Sequence, residues 1–136
     1  MTPVLVDSNV ILDVATRDLV WGEWSKAALD RMGSQTLLII NPVIFAEVSV
    51  GFQRIEDVDQ VLPRNTFIRE SVTYEVGFLA GKAFKAYRTQ GGIRLSPLPD
   101  FFIGAHAQIA GYRLLTRDTN RYRSYFPTVE LIAPEQ

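Results

Sequence analysis

The sequence predicts an α/β fold in which a mainly parallel central sheet is covered by helices on both faces. Apolar segments of strand length alternate along the chain with segments whose apolar residues recur at helical spacing. The strand-like segments are apolar throughout rather than at every second residue, which is typical of parallel strands buried on both faces. With 136 residues, 47% of them hydrophobic, the chain can enclose one core, and we expect a single domain over residues 1–136.

The first third of the chain contains two predicted pairs of strand and helix. Residues 2–6 form a β-branched, apolar run, and residues 7–9 lead from it into a helix. A second buried strand is expected at residues 36–40. Residues 41–42, an Asn-Pro pair, are typical of a helix N-cap with proline at the first helical position. A helix should therefore follow, reaching about residue 51 or 52.

The middle of the chain predicts two helices on either side of a short strand. Residues 55–62 form a weaker helical pattern that ends at Pro63, and residues 66–69 are expected to be the strand. Residues 73–89 predict a long helix because apolar and aromatic residues recur along them at helical spacing. Gly91-Gly92 should end that helix.

The last third predicts one more helix and two strands. Residues 97–99 introduce a helix that runs from Asp100 to residue 110, with Gly111 as its C-cap. Residues 112–116 form an apolar strand pattern. A short helix or turn and a final strand at residues 128–132 complete the chain.

Composition restricts the kinds of site that the chain can build. It has no cysteine and one histidine, His106, so it can form neither a thiolate centre nor a metal centre made of several histidines. Any metal ion must therefore be bound by oxygen atoms. His106 falls within a predicted helix, where we expect a packing or surface role rather than that of a catalytic base.

The charge pattern bears on location and on partners. The apolar start of the chain has no basic segment and ends at Asp7, so neither a signal peptide nor a membrane span is expected, and a cytoplasmic location follows by default. A net charge of −1 argues against a surface that binds nucleic acid throughout. Arginine nevertheless outnumbers lysine by 11 to 3, and four arginines crowd near the C-terminus: Arg113, Arg117, Arg121 and Arg123. They could bind phosphate or form a solvated charged face.

Four acidic residues are expected to converge at one edge of the sheet. Asp7 directly follows the first strand, and Asp118 follows the strand at residues 112–116 after one intervening residue. Glu47 and Asp100 lie in early turns of helices that begin where strands end. Ligands of open parallel sheets bind beyond the carboxyl ends of the strands. Four carboxylates at that edge match the oxygen ligands that Mg²⁺ or Mn²⁺ prefers.

Each of these acids also has a purely structural interpretation. Asp100 follows a proline and could be a helix N-cap, Asp7 could cap the first helix, and Asp118 could belong to an Asx-turn. The structural interpretation is weakest for Glu47. Its sequence neighbours are apolar, and burying a carboxylate costs free energy unless it is paired or metal-bound. The metal hypothesis therefore depends on the predicted strand order.

Four segments together resemble the PIN domain, and within it the VapC-like toxins of type II toxin–antitoxin systems. The match spans essentially the whole chain in the right order and spacing. The segments are residues 4–13 (VLVDSNVILD), 41–48 (NPVIFAEV), 99–107 (PDFFIGAHA) and 114–122 (LLTRDTNRY).

The resemblance implies a PIN-like three-layer sandwich and an endoribonuclease that depends on Mg²⁺ or Mn²⁺. A metal-activated water would attack the RNA phosphodiester in line, leaving a 5′-phosphate and a 3′-hydroxyl. The resemblance also implies a homodimer, an antitoxin partner and a metal site with supporting polar residues. The implied metal ligands are Asp7, Glu47, Asp100 and Asp118, and the supporting residues are Asn9 and Thr116.

One position departs from the family pattern. Many relatives carry Thr-Arg-Asn followed three residues later by an acid, whereas here Asp118 takes the asparagine position and Arg121 the later one. The fourth carboxylate is therefore expected from Asp118 alone. Arg121, together with Arg117, is expected to contact RNA phosphate.

Two other functions compete with this interpretation. A phosphohydrolase of the haloacid dehalogenase type also places an aspartate after the first strand, but it needs a second aspartate where this chain has Asn9. A non-catalytic PIN-like binding module would use the acidic pocket to receive an arginine from a partner. Trp21 and Trp24, expected near the end of the first helical segment, could line a groove for an antitoxin peptide with Phe52, or could pack in the core.

Overall fold

A computed structural model of the chain describes residues 1–92 and 98–135, so Pro97, in the predicted approach to the helix at Asp100, lies outside the described residues. The strands are β1 (Val4–Val6), β2 (Leu38–Ile40), β3 (Phe67–Arg69), β4 (Arg113–Leu115) and β5 (Leu131–Ile132). The helices are α1 (Ser8–Ala15), α2 (Gly22–Gln35), α3 (Pro42–Ser49), α4 (Ile55–Val61), α5 (Tyr74–Thr89), α6 (Leu98–Ala110) and α7 (Asn120–Tyr125).

The five strands form one sheet in the order β3-β2-β1-β4-β5, and every neighbouring pair is parallel. The predicted α/β class with a parallel sheet is confirmed. From β1 the chain moves outward through β2 to β3, then returns to place β4 on the other side of β1. Such a reversal of strand order opens a crevice at the carboxyl ends of the two strands that flank it, here β1 and β4.

Connections between parallel strands cross over in the right-handed sense, which places helices on the two faces of such a sheet. α1 contacts α2 and α3 in one layer, and α6 contacts α5 and α7 in the other. The strands are buried through their length except at the outer edges, because both faces are covered. No helix within residues 1–92 and 98–135 has both the length and the apolar character that crossing a bilayer requires.

Several helix ends follow the sequence signals. The Asn41 side chain accepts a hydrogen bond from the Ile44 amide at 2.9 Å and caps α3, with proline in the first turn. Thr73 caps α5 in the same way. Gly91 and Gly111 follow α5 and α6 with φ of 95° and 73°, a left-handed conformation that favours glycine.

Three expectations about the elements are corrected. The strands are shorter than predicted; the last comprises Leu131–Ile132 rather than residues 128–132. Helix α2 was not predicted, and Trp21 and Trp24 lie at its start rather than near the end of the first helical segment. Helix α6 begins at Leu98, two residues before Asp100, so Asp100 lies within the first helical turn and is not the N-cap.

Close packing fixes α6 against the C-terminal part of the chain. Phe101, Ile103 and Phe126 are fully buried there. A Cβ added to Gly104 would lie 2.3 Å from a ring carbon of Phe126, so only glycine lets the helix approach this ring. This contact sets where the first turn of α6, and with it Asp100, lies relative to α7.

Candidate active site

Asp7 lies directly after β1, at the carboxyl end of the strand and beside β4. It is 3% exposed, and its Oδ1 accepts a hydrogen bond from the Ser8 amide at 2.8 Å at the start of α1. Its Oδ2 accepts hydrogen bonds from the Thr116 hydroxyl at 2.8 Å and the Tyr122 hydroxyl at 2.9 Å. Asp7 therefore caps α1, as the structural alternative anticipated, but it also gathers donors from β4 and α7.

Burial and neighbouring charge raise the pKa of Asp7 from 3.8 to about 7. Desolvation is the largest cause; the hydrogen bonds from Thr116 and Tyr122 oppose it, and the charges of Asp100 and Glu47 add to it. A carboxylate in this position costs folding free energy at neutral pH unless a cation offsets its charge.

Glu47 extends from the second turn of α3 toward the start of α1. Its Oε1 accepts a hydrogen bond from the Ser8 hydroxyl at 2.8 Å. The side chain is only partly buried, because Ile44 and Val48 form the core-facing side of the helix. Desolvation raises the pKa of Glu47; the bond from Ser8 lowers it, and the charge of Asp100 raises it further.

Asp100 forms an ion pair with Arg121, whose Nη1 lies 2.7 Å from its Oδ2. Desolvation raises the pKa of Asp100; Arg121 lowers it through a hydrogen bond and through its charge, and the charge of Asp118 raises it. The charge of Asp100 therefore acts on Asp7 and Glu47, and the charge of Asp118 acts on Asp100.

Asp118 is exposed at the rim of the site. It lies two residues after Thr116, whose backbone amide donates to the Ile132 carbonyl oxygen of β5. Its backbone amide donates to the Thr116 hydroxyl oxygen at 3.1 Å. Asn9 joins the same network: its side-chain amide donates to the Thr116 hydroxyl oxygen at 3.3 Å and to Asp7 at 3.4 Å. Asn9 and Thr116 therefore connect the carboxyl ends of β1 and β4.

The two arginines expected at the site are both held by carboxylates. Arg117 donates from Nε to the buried carboxylate of Asp13 at 2.8 Å, and Asp13 also accepts from the Ser25 hydroxyl at 2.8 Å. The Arg117 guanidinium lies 5.8 Å from the Trp21 ring centroid. The loop after β4 is thereby fixed to α1 and to the start of α2.

Tyr122, Ser8 and Asp13 were not singled out in the sequence. Tyr122 and Phe126 are four residues apart and both buried, a spacing that marks the inward face of α7 and could have indicated Tyr122. Ser8 follows Asp7 directly and could have been recognised as a polar residue of the first helical turn. The Asp13–Arg117 pair spans 104 residues and has no local signal.

His106 belongs to a separate buried network. Its Nδ1 lies 2.9 Å from the Asn41 side-chain nitrogen, and its Nε2 lies 3.3 Å from Oε1 of Glu70. The Tyr112 hydroxyl donates to Oε2 of Glu70 at 2.6 Å. The expectation of a packing role for His106 is consistent with these contacts.

The donors at the site fit a hard divalent cation. Within residues 1–92 and 98–135, no three acidic or histidine side chains are already gathered closely enough to ligate one ion. Instead, the carboxylate oxygens accept hydrogen bonds from hydroxyl groups and from the Arg121 guanidinium. Because Mg²⁺ keeps several waters and needs only one or two protein carboxylates, the loose cluster suits it.

Comparisons with known proteins agree with this architecture. The PIN domain family model matches residues 4–126.

A chain in the crystal structure of VapBC2 from Rickettsia felis bound to a promoter DNA fragment has a TM-score of 0.75 at 14% identity, covering 98% of this chain and 99% of that one. A chain of a toxin–antitoxin complex from Klebsiella pneumoniae has a TM-score of 0.71 at 21% identity, with 98% of both chains covered. A chain of FitAcB from Neisseria gonorrhoeae gives 0.67 at 18% identity, covering 95% and 96%. No curated protein sequence matches the chain. At such identities the structural likeness shows the fold alone.

Proposed function

This chain belongs to the PIN domain family, and on that premise we propose that it is a Mg²⁺- or Mn²⁺-dependent endoribonuclease, the toxin of a VapBC-type toxin–antitoxin pair. PIN domains are generally nucleases and typically use a divalent metal. The observation that carries the proposal is the electrostatic coupling of Asp7, Glu47, Asp100 and Asp118 at one edge of the sheet, with the pKa of the first three raised.

These four carboxylates would hold the divalent ion, either directly or through the waters that Mg²⁺ keeps. A bound ion would act as a Lewis acid toward a phosphoryl oxygen and would lower the pKa of the water that attacks the phosphorus. The protein side chains supply orientation. Hydroxyl donors from Thr116 and Tyr122 fix Oδ2 of Asp7, and the Ser8 hydroxyl fixes Glu47.

RNA would lie across the rim where Asp118 is exposed. Arg117 and Arg121 flank Asp118, on the loop and on the first turn of α7. Both are paired with carboxylates and partly exposed, and their remaining N–H donors would bind RNA phosphates. Cleavage is expected to leave a 5′-phosphate and a 3′-hydroxyl, as in the family that the sequence resembles.

An antitoxin partner and a homodimer complete the proposal. The similar chains come from VapBC and FitAcB structures and from a toxin–antitoxin complex. Exposed apolar side chains also support a partner surface: Tyr74 and Phe78, four residues apart on α5, are 96% and 68% exposed. An RNA substrate and a protein antitoxin would place its action in the cytoplasm.

The test is incubation of the purified protein with total RNA and a choice of cations. Mg²⁺ or Mn²⁺ should support cleavage, EDTA should abolish it, and Ca²⁺ should occupy the site without sustaining turnover. Mapping the new 5′ ends identifies the cleavage sequence. Cleavage that persists in EDTA would contradict the metal mechanism, and a protein that binds Mn²⁺ but cleaves no RNA would favour the non-catalytic binding module.

A further inference from the structure

Arg121 lies within the carboxylate cluster rather than on the open surface. Its Nη1 is 2.7 Å from Oδ2 of Asp100, and the two side chains are only 26% and 28% exposed. By contrast, the Arg54–Glu56 pair is 70% and 60% exposed, as expected of a surface contact that contributes little free energy. The ion pair of Asp100 and Arg121 is therefore part of the site's partly buried structure and not a surface contact.

Two aromatic rings hold the Arg121 guanidinium in place. Its Cζ lies 5.4 Å from the ring centroid of Tyr87 on α5 and 5.9 Å from that of Phe101 on α6. A guanidinium stacked on rings and bonded to a carboxylate is fixed in orientation, and the two kinds of contact reinforce one another. The Arg121 guanidinium is thus a cation that the protein itself holds beside Asp100.

The position of this cation matters because of the charges around it. Asp100 acts electrostatically on Asp7 and Glu47 and is itself affected by Asp118. Four carboxylates carry four formal negative charges, and Arg121 already offsets one of them. A second divalent ion near Asp100 would meet a positive group at hydrogen-bond distance from its ligand, and their repulsion would oppose its binding.

We propose that Arg121 is the fixed second cation of the site, so that the four carboxylates bind a single divalent ion. The inference rests on the proposed metal-dependent function and specifies how many ions that function uses. In sites with two metals, the two ions share the charge of the phosphoryl group. Here the planar guanidinium would take the part of one ion, since its N–H donors match phosphate oxygens.

The experiment counts bound ions in the full chain. Metal-free protein is titrated with Mn²⁺ at constant pH, and the electron paramagnetic resonance signal of free Mn²⁺ reports how many ions are bound and how tightly. Three variants are compared with the parent: Arg121→Gln, which removes the charge; Arg121→Glu, which reverses it; and Arg123→Gln as the control. Arg123 is an exposed arginine on the same helix, so its loss changes net charge equally.

The parent and Arg123→Gln should each bind one Mn²⁺ per chain. Arg121→Gln should bind its first Mn²⁺ about tenfold more tightly, because a repelling charge has been removed. Arg121→Glu should bind two ions. If circular dichroism shows that Arg121→Glu is unfolded, Arg121→Gln alone decides the question.

Two ions bound by the parent, or an Mn²⁺ affinity of Arg121→Gln equal to that of the parent, would overturn the inference. Absence of Mn²⁺ binding to the parent would overturn both the inference and the proposed metal dependence. One bound ion with the expected response to Arg121→Gln, but no cleavage of RNA in Mg²⁺, would support the inference while contradicting the nuclease proposal.

Discussion

The ends of β1 and β2 each lead into a buried polar cluster, and the two clusters differ in how their charge is balanced. After β2, Asn41 accepts from the Ile44 amide through Oδ1, so its nitrogen faces Nδ1 of His106 as donor. His106 then carries its proton on Nε2, toward Glu70. Glu70 accepts a second hydrogen bond from Tyr112, so donors and acceptors alternate throughout this cluster.

The cluster after β1 has donors too, but its negative charges outnumber its nearby cation. Three of its four carboxylates have a raised pKa, with desolvation as the largest cause and repulsion by the other acids adding to it. In the His106 cluster, the hydrogen bond to Glu70 raises the pKa of Tyr112 to about 12 and keeps the hydroxyl a donor. Burial of titratable groups is therefore not by itself a sign of function. An excess of one charge at a sheet edge is the more informative feature.

The largest expected effect is on cleavage, from removing one negative charge of the acidic cluster. Asp7→Asn should lower RNA cleavage by about 1,000-fold or more, since it removes the central proposed ligand. The metal-free variant should remain folded and be as stable as the parent, or more stable by roughly 1 kcal/mol, because a buried repulsive charge is lost. Cleavage assays and thermal melts measure the two effects.

Metal addition provides the control for this variant. Mg²⁺ or Mn²⁺ should raise the melting temperature of the parent more than that of Asp7→Asn, since a ligand that binds only the folded state stabilises it by mass action. If Asp7→Asn unfolds outright, Asp7 is a structural cap and the site is misassigned. Retained cleavage would refute the catalytic assignment.

The His106 cluster, in which donors and acceptors are matched, should show the opposite pattern. His106→Ala removes a buried partner from both Asn41 and Glu70, and it should lower the free energy of unfolding by about 2–3 kcal/mol. RNA cleavage by the folded fraction should stay within about threefold of the parent, because within residues 1–92 and 98–135 the polar partners of His106 are Asn41 and Glu70 and not the four carboxylates. Urea denaturation and cleavage at a low temperature test this. A folded His106→Ala protein without activity would show that the two clusters are coupled.

The pH dependence of stability should also distinguish the two clusters. The pKa of Asp7 is about 7 in the folded protein, against an ordinary 3.8, so the folded state keeps a proton that the unfolded state releases. Stability of the metal-free protein should therefore fall as pH rises from about 4 to 7 and level off above that range. Over this interval the parent should lose roughly 3 kcal/mol more than Asp7→Asn, since each pH unit between the two pKa values contributes about 1.4 kcal/mol. Equal losses measured by urea denaturation would argue against a raised pKa of Asp7.

Much of the fold was predictable because its signals are local. Continuous apolar strands predicted the parallel sheet, and Asn41-Pro42 and Gly111 predicted the correct helix ends. Helix α2 was missed because its mean hydropathy is low and only Ser25, Ala28 and Met32 are buried, which leaves a weak helical pattern. Strand lengths were overestimated because the apolar patterns extend past the paired residues: Leu37 precedes β2 and is 54% exposed, and Val129 is buried two residues before β5.

The site was predictable in part for a similar reason. Asp7 and Asp118 follow strands whose ends must meet if the sheet is parallel, so their approach follows from topology. The Asp13–Arg117 and Asp100–Arg121 ion pairs do not, because each joins residues from different elements whose separation depends on helix packing. Without those pairs, the sequence presented Arg117 and Arg121 simply as a basic cluster.

The smallest expected effect concerns Arg117, whose ion pair with Asp13 and proposed contact with RNA can be separated by a double variant. Arg117→Gln alone leaves the buried Asp13 carboxylate without its cation, so any loss of RNA binding could come from a distorted loop. Combining it with Asp13→Asn removes both charges. We expect the single and the double variant, each in an Asp7→Asn background that prevents cleavage, to bind single-stranded RNA about three- to tenfold more weakly than that background alone.

The slope of log affinity against log salt should become shallower by about 0.7, the value for one phosphate contact. Fluorescence anisotropy across a salt series measures this, with Arg31→Gln on the exposed side of α2 as the control. If the double variant regains the parental affinity and slope, Arg117 serves only to hold the loop after β4 against α1.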